Sequence, residues 1–414
     1  MNSKSVGHQL VTNMGFSAVK SISVLLSIRF ADTFLAVHLL GLVLLFRRMG
    51  SLGGNLAQFG LSQSLQKFYL ELADHGERAA LWESLVRWVV GACALAILAL
   101  VLFGESLSGL LFGQRDAVLS WAFGIYVASI ALSFVAGTSW ATEFRFLQYN
   151  LIDWLSGSLI FILCLLLASS LPQNSFLMLL ALMGLAASVI SLVAFRRKFI
   201  KPHLPKSVPW ALSPGVAGYG LSRAVTAFAD MGTSVLGPWL LSDRPDEAAY
   251  LIIAYMVIRV AQTVVLPMAL VLSLRANSAT MDTGVESARV RRLGILSIAA
   301  AVVCVFLYYP LAPYVIPLIA PNSHAAVTAV VDRLIFFLPA VFGFYALRTF
   351  IEIRYSFPFN LCALVASMLA LLAVVWLRGA VTLDTVVEGS MAMFGVLYIY
   401  VAAVGVAMFR ARQA

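Results

Sequence analysis

Runs of about 20 apolar residues recur along the whole chain and leave it essentially one way to fold, as helices that cross a bilayer. Twelve such runs can be marked, at 8–28, 38–60, 82–103, 117–138, 151–171, 176–196, 214–238, 247–272, 292–312, 326–347, 357–377 and 386–409. No water reaches the interior of a bilayer, so each run must satisfy its backbone N–H and C=O groups internally, and the helix does so. With 61% of its 414 residues hydrophobic and only 11% charged, the chain lies far from the balance of a soluble domain. The expected fold class is an all-α integral membrane protein of about twelve transmembrane helices.

An even number of spans places both termini on one side, and basic residues in the loops decide which. One set of loops holds seventeen lysines and arginines and the other holds four, Arg29, Arg115, Arg244 and Arg378. The richer side is expected to be the cytoplasm, which puts both termini there and makes the chain multi-pass. The net charge of +9 is then topology and headgroup contact, and no nucleic-acid partner is expected.

Other function classes find little support. The opening "MNSKSVGHQLVTNMGFSAVK" is too polar for a cleavable signal, so the first span is the expected insertion signal. Cys93, Cys164, Cys304 and Cys362 sit alone in separate apolar runs, which indicates neither disulfides nor a metal site. A Ser/His/Asp set, a phosphate-binding loop and an HExxH helix are absent, so neither an enzyme nor a cofactor is expected. All loops are short; the longest are a basic one at 197–213 and another near 273–291. The chemistry is therefore expected between the helices.

The basic loop separates an amino-terminal six-helix lobe, 1–200, from a carboxy-terminal one, 214–414, with 201–213 as a cytoplasmic linker. Sliding the first half by 211 positions pairs Ser23-Val24 with Ser234-Val235, Asp32 with Asp243, Leu40 with Leu251 and Arg48 with Arg259. An offset of six helices relates lobes of like orientation, the plan of parallel-repeat transporters built around a central cavity.

The second span places Arg47 and Arg48 where hydrocarbon is expected. A charge at a helix centre costs about 2.5 to 3.5 kcal/mol, whereas each large apolar residue returns only about 0.3 to 0.6. Arg48, Ser51, Asn55, Gln58 and Ser62 share one face at helical spacing, while Gly50, Gly53 and Gly54 suit close packing on a neighbouring helix. Polar stripes recur with Lys20 in span 1, with Tyr219, Arg223, Thr226 and Asp230 in span 7, and with Tyr255, Arg259 and Gln262 in span 8. Lys20, Arg48, Arg223 and Arg259 each fall about 13 to 20 Å below the cytoplasmic ends of their helices. Lys20, Arg47, Arg48, Asn55, Arg223, Arg259 and Gln262 are the candidate substrate-binding residues, and Asp230, the one carboxylate on the stripes, is a candidate coupling group. The competing account is snorkelling or contact with lipid phosphate. Arg333 beside Asp332 reads as an interfacial ion pair, and Pro267 and Pro339 as kinks.

"FGLSQSLQKFYLE", ending span 2, resembles the pattern that closes the second helix of Wzx-type bacterial polysaccharide flippases, within the multidrug/oligosaccharidyl-lipid/polysaccharide exporter superfamily. "YGLSRAVTAFADMGTSVLGPWLLSDRPDEAAYLIIAYMVIR" is similar to the same family's helices 7 and 8. Gln63 and Ser64 depart from the pattern's small residues, as does the Arg47-Arg48 doublet. The resemblance implies two six-helix lobes around a cationic cavity that passes a polyprenyl-pyrophosphate-linked oligosaccharide to the periplasmic leaflet by alternating access. It also implies membrane lipids as neighbours, with glycosyltransferases and a polysaccharide polymerase as partners. Two other readings stay open, a multidrug or other small-molecule transporter of the same superfamily and a membrane glycosyl-transfer enzyme.

Overall fold

The computed structural model describes residues 3–143, 145–168, 170–208, 212–260, 283–354 and 358–410, and among these there is no strand. The helices are α1 Ser3–Phe34, α2 Val37–Ala57, α3 Leu61–Glu71, α4 His75–Leu102, α5 Gly104–Phe112, α6 Ala117–Thr142, α7 Phe146–Trp154, α8 Ile160–Ala168 and α9 Gln173–Phe195. They continue with α10 Pro214–Leu240, α11 Pro245–Val260, α12 Thr283–Ile319, α13 His324–Leu334, α14 Leu338–Arg354, α15 Phe359–Arg378 and α16 Leu383–Arg410. α7 with α8 and α13 with α14 each overlie one apolar run, at 151–171 and 326–347. Among the described residues, eight spans are long and apolar enough to cross a membrane. Outside that set are α1, α2, α10 and α11, the helices on which the candidate cations lie.

The chain packs as two compact units, one of Leu42–Met231 and one of Met1–Gly41 with Gly232–Ala414. These units are cut differently from the halves 1–200 and 214–414. α9 runs on through a π turn at Arg196–Ile200 and a 3₁₀ turn at Lys201–His203. Packing holds that extension: Ile200 is fully buried, and Phe195 and Phe199 meet the Trp140 ring edge-on at 5.3 and 5.8 Å.

In the Leu42–Met231 unit, α6 is the axis. Most of its residues are buried, many of them Ala, Ser or Gly, as expected of a helix enclosed on all sides. Asp116 caps its first turn by accepting from the N–H groups of Val118 and Leu119. Burial acts to raise this carboxyl's pKa, but hydrogen bonds from Asn174, Leu119 and Val118 hold it below the usual range. The glycines of α2 pack as their spacing predicts. A methyl group at Gly53 would lie 2.8 Å from Val127, and one at Gly54 2.6 Å from Ile130. On the α9 side, Ser188 Oγ donates to the Ser129 carbonyl at 3.0 Å.

Span 2 does not run straight. It breaks after Ala57, with Phe59 at φ 48° and Gly60 at φ 65°, and resumes as α3. The break brings Gly60 against α10 so closely that a Cβ there would fall 2.0 Å from the Gly220 carbonyl oxygen. Four residues on, Ser64 Oγ donates to the Val216 carbonyl at 2.9 Å.

In the other unit, Gly379 (φ 67°) turns α15 into α16, and Gly389 lets α16 approach the backbone of α15 at Leu371. Tyr255 is buried and hydrogen-bonded to Ser390 at 2.6 Å. Arg333 does not pair with Asp332. Adjacent residues on a helix point about 100° apart; Arg333 reaches Asp384 at 2.7 Å, and Asp332 accepts from Tyr308. Pro339 does mark a break, since a 3₁₀ turn at Ile335–Phe337 separates α13 from α14, whereas Pro267 lies outside the described residues.

Gly60→Ala is expected to lower stability by about 1 to 3 kcal/mol, through both the left-handed φ and the contact with Gly220. Gly91→Ala, where a methyl group meets nothing within 4 Å, is the matched control. Thermal unfolding in detergent should show a clear drop for the first and none for the second.

Candidate functional site

The two arginines that interrupt span 2 have different surroundings. Arg47 Nη2 donates to the Gly157 carbonyl at 2.5 Å, and its guanidinium carbon lies 3.9 Å from the centre of the Phe161 ring. Gly157 belongs to a π turn, Leu155–Leu159, between α7 and α8. Such a turn shifts the helical hydrogen-bond register, and a carbonyl inside a membrane is a strong acceptor for a cation. Arg47 Nε is buried without a partner among the described residues, so the fit is incomplete. Arg47 is thus turned into the Leu42–Met231 unit, where it ties α2 to the α7–α8 rod. Arg48, about 100° further round the helix, is half-buried on the stripe with Ser51, Asn55 and Gln58.

The lower part of that stripe is a packing contact. Asn55 Nδ2 donates to the Ser51 carbonyl at 3.0 Å and lies 2.8 Å from Met231 Sδ of α10. Gln58 Nε2 donates to Asn55 Oδ1 at 2.9 Å, leaving Gln58 Oε1 buried without a partner. Asn55 is therefore a buried link between α2 and α10.

Arg223 sits nine residues into α10, half-buried, with its guanidinium carbon 5.2 Å from the Tyr219 ring centre. Lys67 of α3 places its ammonium 4.6 Å from the same ring. Phe68 meets that ring edge-on at 5.9 Å. Each cation over an aromatic face gains about 0.5 to 1 kcal/mol at an exposed site. The two charges are no more than about 10 Å apart, where unit charges repel by about 1.7 kcal/mol or more at an effective dielectric of about 20. Lys67 is absent from the stripes because it lies beyond the Gly60 break, and its only sequence signal is the spacing Gly60, Ser64, Lys67 down one face of a helix.

Lys20 on α1 is half-buried in the other unit, and Asp230 is half-buried on α10. The Arg259 side chain and Gln262 lie outside the described residues. The stripes also overlook Asp32, which is 1% exposed near the end of α1. Its carboxylate accepts from the Asn322 backbone N–H at 2.6 Å and from Ser323 Oγ at 2.5 Å. One turn earlier, Arg29 donates to the Leu318 carbonyl at 2.8 Å. Together these fix α1 to the turn between α12 and α13. Asp243, the repeat partner of Asp32, is exposed, so that pairing joins residues in unlike environments.

The architecture is that of a known class of transporter folds. The chain superposes on the inward-facing conformation of a multidrug resistance MATE family transporter of the MOP superfamily with a TM-score of 0.71 and 12% identity, over 97% of this chain and 99% of that one. It superposes on the lipid II flippase MurJ in an inward closed conformation with a TM-score of 0.69 and 12% identity, over 94% and 86% of the two chains. A variant of the Vibrio cholerae MATE transporter VcmN gives 0.62 at 16% identity, over 99% and 98%. No protein-family model matches the sequence, and no curated protein matches it. The likeness is one of fold.

Arg47→Ala should lower stability by about 1.5 to 3 kcal/mol, the range of a hydrogen bond to a charged group, with Arg47→Lys between it and wild type. Chemical unfolding of the detergent-solubilised protein measures this. An unchanged midpoint for Arg47→Ala would mean that the Gly157 contact holds nothing.

Proposed function

We propose that this protein is a flippase of the bacterial inner membrane, with both termini cytoplasmic, moving a polyprenyl-pyrophosphate-linked oligosaccharide to the periplasmic leaflet for surface polysaccharide synthesis. The observation that carries this reading is the excess of cations on the polar stripes of α1, α2, α10 and α11. Lys20, Arg48 and Arg223 are half-buried, and Arg259 stands on α11 at the repeat position of Arg48. A charge held inside a membrane helix costs several kcal/mol unless something polar faces it. A set of like charges on these stripes suits an anionic headgroup, whereas a cationic drug would add to the repulsion.

The fold supports the reading, since it is one on which a lipid II flippase is built. The polar head of such a lipid cannot cross hydrocarbon unaided, and a wet passage lined by fixed cations removes that barrier while the tail stays in the bilayer. Alternating access by rocking of two six-helix lobes about 201–213, Asp230 as coupling group, and glycosyltransferases and a polymerase as partners all belong to this proposal. The multidrug reading is favoured by the equally good match to a MATE transporter, and the charge of the cargo separates the two.

Alanine at Lys20, Arg48, Arg223 or Arg259 should lower surface polysaccharide per inserted protein severely, by tenfold or more where one charge-assisted hydrogen bond of about 1.5 to 3 kcal/mol is lost. Lysine at Arg48 or Arg259 should lower it partly. Arg378→Ala, which removes only an exposed pair with Glu388, should export like wild type. Export by all four alanine variants at the Arg378→Ala level would sink the assignment.

A further inference from the structure

A cationic feature that includes Arg223 lies in the Leu42–Met231 unit, where α3 packs on the first three turns of α10. Lys67 and Arg223 both lie against one ring, Tyr219, at 4.6 and 5.2 Å, so the two charges are no more than about 10 Å apart. The arrangement is held by backbone. Gly60 touches Gly220, Ser64 donates to the Val216 carbonyl, and Phe68 braces Tyr219 edge-on, which fixes α3 against the first turns of α10. Lys67 is exposed, and among the described residues no carboxylate lies within ion-pair distance of it; Glu71, one turn on, is not paired with it. The charge asymmetry of the loops assigns this end of the helices to the cytoplasmic face.

We propose that Lys67, Tyr219 and Arg223 form an entry subsite for a lipid-borne pyrophosphate on the cytoplasmic side of the membrane. One pyrophosphate spans the two cations with a charge-assisted hydrogen bond of about 2.8 Å at either end. Tyr219 gives both cations a common ring to lie against. Arg223 is half-buried and one turn deeper into α10 than Tyr219, so it is the group that passes the headgroup inward, while exposed Lys67 makes first contact. The subsite rests on the flippase reading for the direction of movement, but its ligand chemistry follows from the two cations alone.

The test is binding of farnesyl pyrophosphate to the full-length protein in phosphatidylcholine nanodiscs, read by calorimetry without transport. Lys67→Ala and Arg223→Ala should each weaken binding about tenfold, equivalent to about 1.4 kcal/mol. Lys67→Arg should retain it, and Lys206→Ala, an exposed loop lysine, should bind like wild type. Among the described residues the Lys67 ammonium meets only the Phe68 and Tyr219 rings, and the side chain is exposed, so its alanine variant is expected to fold. Inorganic pyrophosphate should compete, marking the headgroup as the ligand, whereas about 20% phosphatidylglycerol in the disc should not. Competition by phosphatidylglycerol would reassign the cations to bulk lipid and overturn the entry role. Wild-type affinity in Lys67→Ala would overturn the subsite while leaving the flippase reading intact; export lost in Arg48→Ala with binding unchanged would leave both standing.

Discussion

Inside a bilayer no water stands ready to satisfy a polar group, so each buried donor, acceptor or charge must find its partner in the protein or in a cargo. That constraint governs this chain from the helix count down to single side chains. Arg47 meets it through the Gly157 carbonyl, which the π turn between α7 and α8 presents. Asp32 meets it through Asn322 and Ser323, and Asn55 through Ser51 and Gln58. Irregular backbone and buried polar side chains occur together because each supplies what the other lacks.

Close packing supplies the remaining stability. Apolar surface gains little by leaving lipid for another helix, so association rests on contact, and small residues allow it. Gly53 and Gly54 seat α2 on α6, while Gly60 and Gly220 bring the α2–α3 break onto α10. The consequence for function is positional: the break turns α3 so that Lys67 and Arg223 share Tyr219.

The spans were legible in the sequence because length and apolarity are properties of the chain alone. The glycine contacts of α2 were legible too, since their spacing marks one helical face. What sequence could not say is which way a doublet points. Arg47 and Arg48 differ by about 100° of rotation, and only the position of the π turn settles that Arg47 looks inward. The same rotation defeats the Asp332–Arg333 pairing, because neighbours in sequence diverge on a helix. Asp32 was invisible as a site residue, since its partners at Asn322 and Ser323 lie some 290 residues away. The compact units, with α1 outside the unit of α2, depend on such distant contacts as well.

The central claim is that membrane-embedded cations select an anionic cargo on a fold shared by flippases and drug exporters. The most direct measurement reconstitutes the protein in vesicles. It compares translocation of a fluorescent short-chain polyprenyl-pyrophosphate disaccharide with efflux of a cationic dye of similar size. The account predicts protein-dependent translocation of the pyrophosphate lipid and no movement of the dye above protein-free vesicles. Dye movement with no translocation of the lipid would contradict it.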